Sequence, residues 1–244
     1  IYRKIGDLRG ESQQLNNLGY ALEDLGAPEQ ALEYYQQSLK ISSKVGDRWT
    51  QATVLDNISQ IYQKLRQPKQ ALDYYGEALT LRRSIEDRLG EARTLNNLGN
   101  LYQLELNQPI QAIEQFREAL SIVREIGDRE AEAIILDNIG TAYLNLGKKT
   151  EALAHYRQSI DIFESIRSTM TIQEFKAKFA DRYTSHYKTV IMLLSELGWH
   201  KEAFNYTERA RARAFLDQLA NTRINPRQGA DPSLVATEQQ LTKE

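Results

Sequence analysis

Asparagines recur at a fixed place in this sequence, and their amides could bind a polypeptide backbone. Asn17, Asn57, Asn97 and Asn138 follow one another at intervals of 40, 40 and 41 residues. An amide offers two donors and an acceptor, so it can satisfy the N–H and C=O of a ligand's backbone whatever the ligand's sequence. Asparagine is a mediocre helix former, so its return needs a reason. Two explanations remain open: the amides contact a ligand, or they form hydrogen bonds to a neighbouring helix.

Other kinds of chemistry find little support in the sequence. The chain has no cysteine, which excludes disulfides, thiolate zinc sites and cysteine nucleophiles. His155, His186 and His200 lack the spacing of metal ligands. No glycine-rich phosphate loop, nucleophile elbow or paired-carboxylate motif is present. We therefore expect no enzyme activity, no cofactor and no metal site.

Charge and hydropathy argue against two classes of partner. The 31 basic and 33 acidic residues give a net charge of -2, whereas a protein that grips phosphate backbones normally has a basic excess. No apolar run approaches the roughly 18 residues that a membrane-spanning helix needs. The N-terminus lacks a signal-peptide pattern. We expect a cytoplasmic protein that binds neither nucleic acid nor membrane; its oligomeric state stays open.

The asparagines belong to an internal repeat with two further landmarks. The segment Ala31–Tyr35 returns as 71–75, 112–116 and 152–156. The pair Gly6-Asp7 returns at 46–47 and 127–128, with Glu86-Asp87 in the third place. Glycine suits the left-handed residue that ends a helix, and aspartate caps the next helix. Each repeat therefore predicts two antiparallel helices of about 17 residues, which must stack on neighbours to bury a core.

Small residues lie in the middle of the predicted helices. In the first helix, an apolar stripe contains Leu15, Leu18, Gly19, Leu22 and Leu25. A glycine within a helix costs about 1 kcal/mol relative to alanine. That cost is tolerable where two helices approach too closely for a side chain, and Ala31 and its equivalents have the same interpretation.

This pattern resembles the tetratricopeptide repeat. Gly19, Ala31, Tyr35 and Ser38 occupy its small, small, aromatic and small positions, and so do Gly99, Ala112, Phe116 and Ala119. The 40-residue period is similar to the long repeats of kinesin light chains, and the resemblance covers most of residues 1–220. It implies an all-α fold, a right-handed α-solenoid (superhelix) of antiparallel helix pairs.

The landmarks divide the chain into segments. Residues 1–6 match the end of a preceding repeat helix, and 7–166 hold four repeats, at 7–46, 47–86, 87–127 and 128–166. Residues 167–220 predict a divergent fifth hairpin with a long first helix at roughly 172–197, and 221–244 a linker and the start of a further helix. Both ends fall inside recognisable elements, so we expect the chain to be cut from a longer protein.

The resemblance also implies where a ligand binds. In tetratricopeptide arrays the first helix of each repeat lines a concave groove, and the face opposite the apolar stripe is polar in all four repeats. We call these side chains the polar ladder: Gln13, Asn16, Asn17, Tyr20, Thr53, Asp56, Asn57, Gln60, Arg93, Asn96, Asn97, Asn100, Asp137, Asn138 and Thr141. Lys64 and Arg93 are the only basic residues near it, so recognition of chaperone C-terminal tails is not expected.

The last hairpin carries the segment Glu208–Arg213, followed by a short linker. These residues resemble bacterial, often cyanobacterial, proteins in which repeats precede a caspase-like CHAT domain with a His–Cys dyad. Nothing catalytic is carried over, because this chain has no cysteine. Arg209 and Arg213 lie one helical turn apart and could dock such a domain or an acidic partner. They could equally pair with Glu202, Glu208 or water.

Two hypotheses about function remain. The chain is a protein-interaction module whose groove binds a peptide or partner segment and regulates an attached C-terminal effector domain. Alternatively, it is a structural spacer or oligomerisation solenoid with no ligand in the groove.

Overall fold

The computed structural model describes residues 6–169 and 185–221, with side chains at 6–167 and 185–212. The helices are α1 (Leu8–Asp24), α2 (Pro28–Val45), α3 (Arg48–Lys64), α4 (Pro68–Ser84), α5 (Arg88–Leu104), α6 (Pro109–Ile126), α7 (Arg129–Asn145), α8 (Lys149–Thr169), α9 (185–196) and α10 (His200–Asn221). No strand occurs in these ranges. The predicted all-α fold is confirmed.

The described residues fall into two compact bodies, one within residues 1–163 and one within residues 164–244. In the first body each helix packs against the next, and α1, α3, α5 and α7 also contact one another in series. We call these four the A helices and α2, α4, α6 and α8 the B helices. This arrangement, one pair stacked on the next, is an α-solenoid.

The junctions between repeats confirm the expected helix signals. Gly46 and Gly127 end their helices with φ of 70° and 74°, in the left-handed region where glycine is favoured. Asp47 accepts a hydrogen bond from the Thr50 N–H at the start of α3, and the aspartates before α1, α5 and α7 do the same. Glu86 takes the left-handed place without being a glycine, at φ 55°.

In the first, third and fourth repeats, the two helices meet where a glycine lies against an aromatic ring. A Cβ added to Gly19 would lie 2.6 Å from Cε1 of Tyr35, and one added to Gly140 would lie 3.1 Å from the ring of Tyr156. Ala31 and Tyr35 are fully buried. The mid-helix glycines therefore allow the close approach that the sequence predicted.

The predicted apolar stripe of the first helix is only partly buried. Leu15 and Gly19 are buried, but Leu18 is 49% exposed and Leu25 is 81% exposed. Leu25 follows the last turn of α1, outside the helix. Leu18 lies on the face that, in α3, carries the fully buried Ile58, where the preceding repeat covers it. The prediction was wrong for these two residues. The stripe predicted that all its members are buried, but Leu25 lies outside the helix and Leu18 lies on the face that packs against a neighbouring repeat.

The second body contains the end of the predicted fifth hairpin. The predicted long helix at 172–197 falls partly on residues 170–184, outside the described part of the chain; residues 185–196 are helical. Its core includes the buried Tyr187, whose hydroxyl donates to Glu164 at 2.7 Å. Helix α8 runs through to Thr169, beyond the last regular repeat at 166.

Substitution of two glycines by alanine should give opposite results. We expect Gly19→Ala to lower the free energy of unfolding by about 1–3 kcal/mol, because its Cβ overlaps the Tyr35 ring. Gly76→Ala, in the exposed interior of α4 with nothing within 4 Å, should raise it by about 0.5–1 kcal/mol. Urea denaturation measures both. Equal effects would contradict the close-approach interpretation.

Candidate binding groove

The four A helices place the polar ladder along one series of adjacent helices. Because neighbouring A helices contact each other, ladder residues from successive repeats come within hydrogen-bonding distance. Gln13, Asn17, Tyr20 and Arg93 are exposed, Asp56 is buried, and the remaining members are half-buried. The sequence prediction of ligand contact by these residues stays a prediction.

Two pairs of ladder amides are bonded across neighbouring repeats. Asn57 Nδ2 donates to Asn16 Oδ1 at 2.9 Å, and Asn138 Nδ2 donates to Asn96 Oδ1 at 2.8 Å. Each bond joins equivalent positions, the first amide of one A helix to the second amide of the next. Part of the ladder therefore holds adjacent A helices in register, as the second of the two open explanations required.

At the junction between the second and third repeats an ion cluster replaces the amide pair. Asp56 occupies the place of Asn16 and Asn96 and receives a hydrogen bond from Arg82 Nη2 at 2.9 Å and one from Thr94 Oγ1 at 2.8 Å. Arg82 also pairs with Asp87, the cap of α5. Burial raises the pKa of the Asp56 carboxyl, while the bonds from Arg82 and Thr94 oppose that change. These contacts leave Asp56 little capacity for a ligand.

Sequence reasoning missed Arg82, although a signal was available. The equivalent positions in the neighbouring repeats are Ser42 and Val123, so a buried arginine breaks the pattern. A buried cation requires a carboxylate, and Asp56 differs from Asn16 in the same repeat comparison. The sequence does not show how the helices stack, and that stacking is what brings Arg82 and Asp56 together.

Tyrosine hydroxyls from the B helices form a second row of bonds to the A helices. Tyr35 donates to Glu23 at 2.9 Å, and Tyr75 donates to Gln63 at 2.9 Å. Burial, above all, raises the pKa of both phenols, so they stay protonated donors. In the fourth repeat the Tyr156 hydroxyl lies 2.9 Å from Thr141 Oγ1, a ladder residue.

A shallow depression opens beside the ladder near the C-terminal ends of α3 and α5. Its lining residues are Gln60, Gln63, Lys64, Arg66 and Glu105. Lys64 pairs with Glu23 at 2.7 Å and Arg66 with Glu105 at 3.5 Å. The cation of Lys64 is thus balanced within the protein.

The residues predicted to dock another domain lie in the second body. The Arg209 guanidinium lies over the ring of Tyr206 at 5.0 Å and near that of Tyr187 at 5.9 Å. Arg211, between the two candidates, pairs with Glu208 at 3.0 Å. The side chain of Arg213 lies outside the described part of the chain. Docking by Arg209 and Arg213 stays a prediction.

Over residues 6–169 and 185–221, no three His, Asp or Glu side chains are grouped so as to hold a metal ion. None of the helices in this part of the chain is long and apolar enough to cross a membrane.

Comparison with protein families gives a match over most of the first body. The family model for the tetratricopeptide repeat matches residues 12–84, 50–125 and 90–165. Among curated proteins, the human tetratricopeptide repeat protein 28 is 33% identical over 96 residues, which are 39% of this chain. The chain spans only 4% of the length of that protein.

Several solved structures share the fold. BtubC (BKLC) from P. vanneervenii has a TM-score of 0.73 at 16% identity, over 94% of this chain and 89% of its own. A putative kinesin light chain of nearly identical repeats from Podosopora anserina has a TM-score of 0.65 at 16% identity, over 86% and 96%. A Rap protein complexed with Competence and Sporulation Factor has a TM-score of 0.61 at 16% identity, over 85% and 55%. At these identities the likeness shows the fold alone.

Alanine substitution of two ladder asparagines should separate a bonded amide from one without a protein partner. Asn57→Ala removes the bond to Asn16, whereas Asn97 makes no hydrogen bond to any residue that the structure describes. Both substitutions gain the same helix propensity, so we expect Asn57→Ala to be less stable than Asn97→Ala by about 1 kcal/mol. Urea midpoints measure the difference. Equal midpoints would show that the amide pair does not hold the register.

Removal of the buried cation should cost far more than removal of an exposed one. Arg82→Met leaves Asp56 buried without its ion pair, and we expect a loss of about 3 kcal/mol in the free energy of unfolding. Arg9→Met breaks the pair with Asp47, in which the arginine is 66% exposed, and should cost under about 1 kcal/mol. Thermal and urea unfolding compare the two. Similar losses would refute a stabilising role for the cluster.

Proposed function

Because this chain belongs to the tetratricopeptide repeat family, we propose that it is a protein-interaction scaffold that binds a peptide or partner segment along the polar ladder. The observation that carries this proposal is the continuous series of A helices, which aligns ladder side chains of four repeats on adjacent helices. Exposed Gln13, Asn17 and Arg93 add donors and acceptors that solvent or a ligand can reach.

Polar side chains in this arrangement suit a polypeptide backbone. Amides pair with both N–H and C=O groups, so they contribute affinity without demanding a particular sequence. Exposed Tyr20 adds an apolar body with a polar tip, the combination enriched at interfaces. The Rap protein named above, which shares this fold, is complexed with Competence and Sporulation Factor in its structure, so that protein binds another molecule.

The second candidate function is a spacer that joins or oligomerises other elements, with nothing bound along the ladder. The bonds Asn57–Asn16 and Asn138–Asn96 favour it, since they give four ladder amides a structural role. Neither bond uses the full capacity of an amide, because each leaves further donors or acceptors available.

We also propose that the array regulates an attached C-terminal effector domain. Support comes from the resemblance of residues 208–213 to repeat proteins with a caspase-like domain. Arg209, held over Tyr206, would then lie in the hairpin that couples the two.

Peptide selection tests the proposal, because it does not require the natural partner to be identified first. A random heptapeptide library displayed on phage is selected on the full chain, and enriched peptides are synthesised and titrated by fluorescence polarisation. We expect Asn97→Ala to weaken their binding about fivefold to tenfold, the loss of one hydrogen bond. The control is Gln36→Ala, at an exposed residue of the B helix α2, which carries no ladder residue; it should not change the binding. Failure to enrich any peptide would favour the spacer.

A further inference from the structure

Within the polar ladder, the helix α5 differs from its neighbours in how its polar groups are satisfied. On α1, Gln13, Asn17 and Tyr20 are exposed, so water can hydrate them. On α5, Asn97 and Asn100 are half-buried and make no hydrogen bond within the described residues. Gln60 of α3, the equivalent of Asn100, is in the same state, so Asn97 is the amide that distinguishes α5. Neither asparagine amide of α5 is fully buried, so both stay available to a ligand that replaces their water.

The reason for the free amide of Asn97 lies one repeat earlier. At the first and third junctions, the equivalent amides of Asn57 and Asn138 donate to an asparagine of the preceding A helix. At the second junction that place is held by Asp56, which Arg82 and Thr94 engage instead. The ion cluster thus removes the partner that Asn97 would otherwise have.

A second group on α5 lacks a partner for an independent reason. Gln103 is 8% exposed, and its Oε1 is buried without a hydrogen-bond donor; in the A helices that the structure describes, no other buried side-chain oxygen or nitrogen is in this state. The equivalents in the first and second repeats, Glu23 and Gln63, accept from Tyr35 and Tyr75. In the third repeat the aromatic residue is Phe116, which has no hydroxyl to donate.

Helix α5 also carries an exposed cation, Arg93. Arg93 forms no ion pair among the described residues, whereas Lys64 is neutralised by Glu23. Arg93, Asn97, Asn100 and Gln103 lie at i, i+4, i+7 and i+10 on α5. At 1.5 Å per residue this stripe is about 15 Å long. An extended peptide covers that length with about four or five residues.

We propose that α5 is the anchoring helix of the ladder, and that it takes an extended peptide segment with an acidic side chain opposite Arg93. This inference rests on the proposed function of peptide binding and adds its location and partner chemistry. The guanidinium of Arg93 matches a carboxylate geometrically and electrostatically. Asn97 and Asn100 bind the peptide backbone, and Gln103 turns its amide outwards so that Oε1 accepts a backbone N–H.

Two variants of the full chain test the inference. Phe116→Tyr restores the donor found in the first two repeats; we expect it to satisfy Gln103, to raise the thermal midpoint by about 2–4 °C and to weaken peptide binding about fivefold. Arg93→Gln keeps the length and polarity of the side chain but removes the charge. The probes are the phage-displayed heptapeptide library and synthetic versions of its enriched sequences.

Selections run in parallel on the wild-type chain and on Arg93→Gln read out the partner chemistry. We expect Asp or Glu to be enriched at one fixed position with the wild-type chain and not with Arg93→Gln. Peptides from the wild-type selection should bind Arg93→Gln at least about tenfold more weakly, since the bond is charge-assisted. The uncharged peptide with Ala at the acidic position should bind both proteins alike.

The outcomes separate this inference from the function on which it rests. Peptides that bind the ladder without an acidic position, or that lose more affinity on Tyr20→Ala than on Arg93→Gln, overturn the assignment to α5 and leave peptide binding intact. Unchanged binding to both Arg93→Gln and Phe116→Tyr overturns it as well. If no peptide is enriched on the wild-type chain, the function and the inference both fail.

Discussion

In the first, third and fourth repeats an aromatic side chain of the B helix lies against a glycine of the A helix. Tyr35 meets Gly19 so closely that a Cβ would overlap its ring, and Phe116 meets Gly99 in the same way. The approach fixes the depth at which the ring enters the helix pair. The depth of the ring in turn fixes the position of a tyrosine hydroxyl. The hydroxyls of Tyr35 and Tyr75 lie beside Glu23 and Gln63 of the A helices, which accept hydrogen bonds from them. Packing and polar pairing are thus set by one contact.

The same stack of helices accommodates different polar contacts between repeats, because it brings equivalent positions together whichever residues occupy them. An amide pair at one junction and an Arg82–Asp56 ion cluster at the next occupy matching places. Each arrangement uses some polar side chains in bonds between repeats and leaves others without a partner. The ion cluster commits Asp56 and frees Asn97, and replacement of tyrosine by phenylalanine frees Gln103. Local differences in chemistry therefore arise on a regular backbone, without any change of fold.

Much of this architecture could be predicted from the sequence, because its signals are local. The Gly-Asp steps give helix ends, and Asp47 caps α3 as that pattern requires. The mid-helix glycines indicate close packing for the same reason. The exposure of Leu18 was not predictable in this way, since burial at that position depends on the neighbouring repeat and not on the helix that carries it. The bond between Asn57 and Asn16 joins residues 41 apart, and the sequence could offer it only as one of two alternatives.

The distinction between a spacer and a binding module therefore depends on polar groups that remain uncommitted. A spacer gains stability when each buried donor and acceptor is paired internally, as Ser12 and Ser38 are at the first helix crossing. An orphaned acceptor such as Gln103 Oε1 lowers stability and gives a spacer nothing in return. In a binding module the same oxygen lowers the cost of forming a complex, because its desolvation has already occurred on folding. If a peptide binds along α5 as proposed, the polar pattern of that helix has a role that a spacer does not give it.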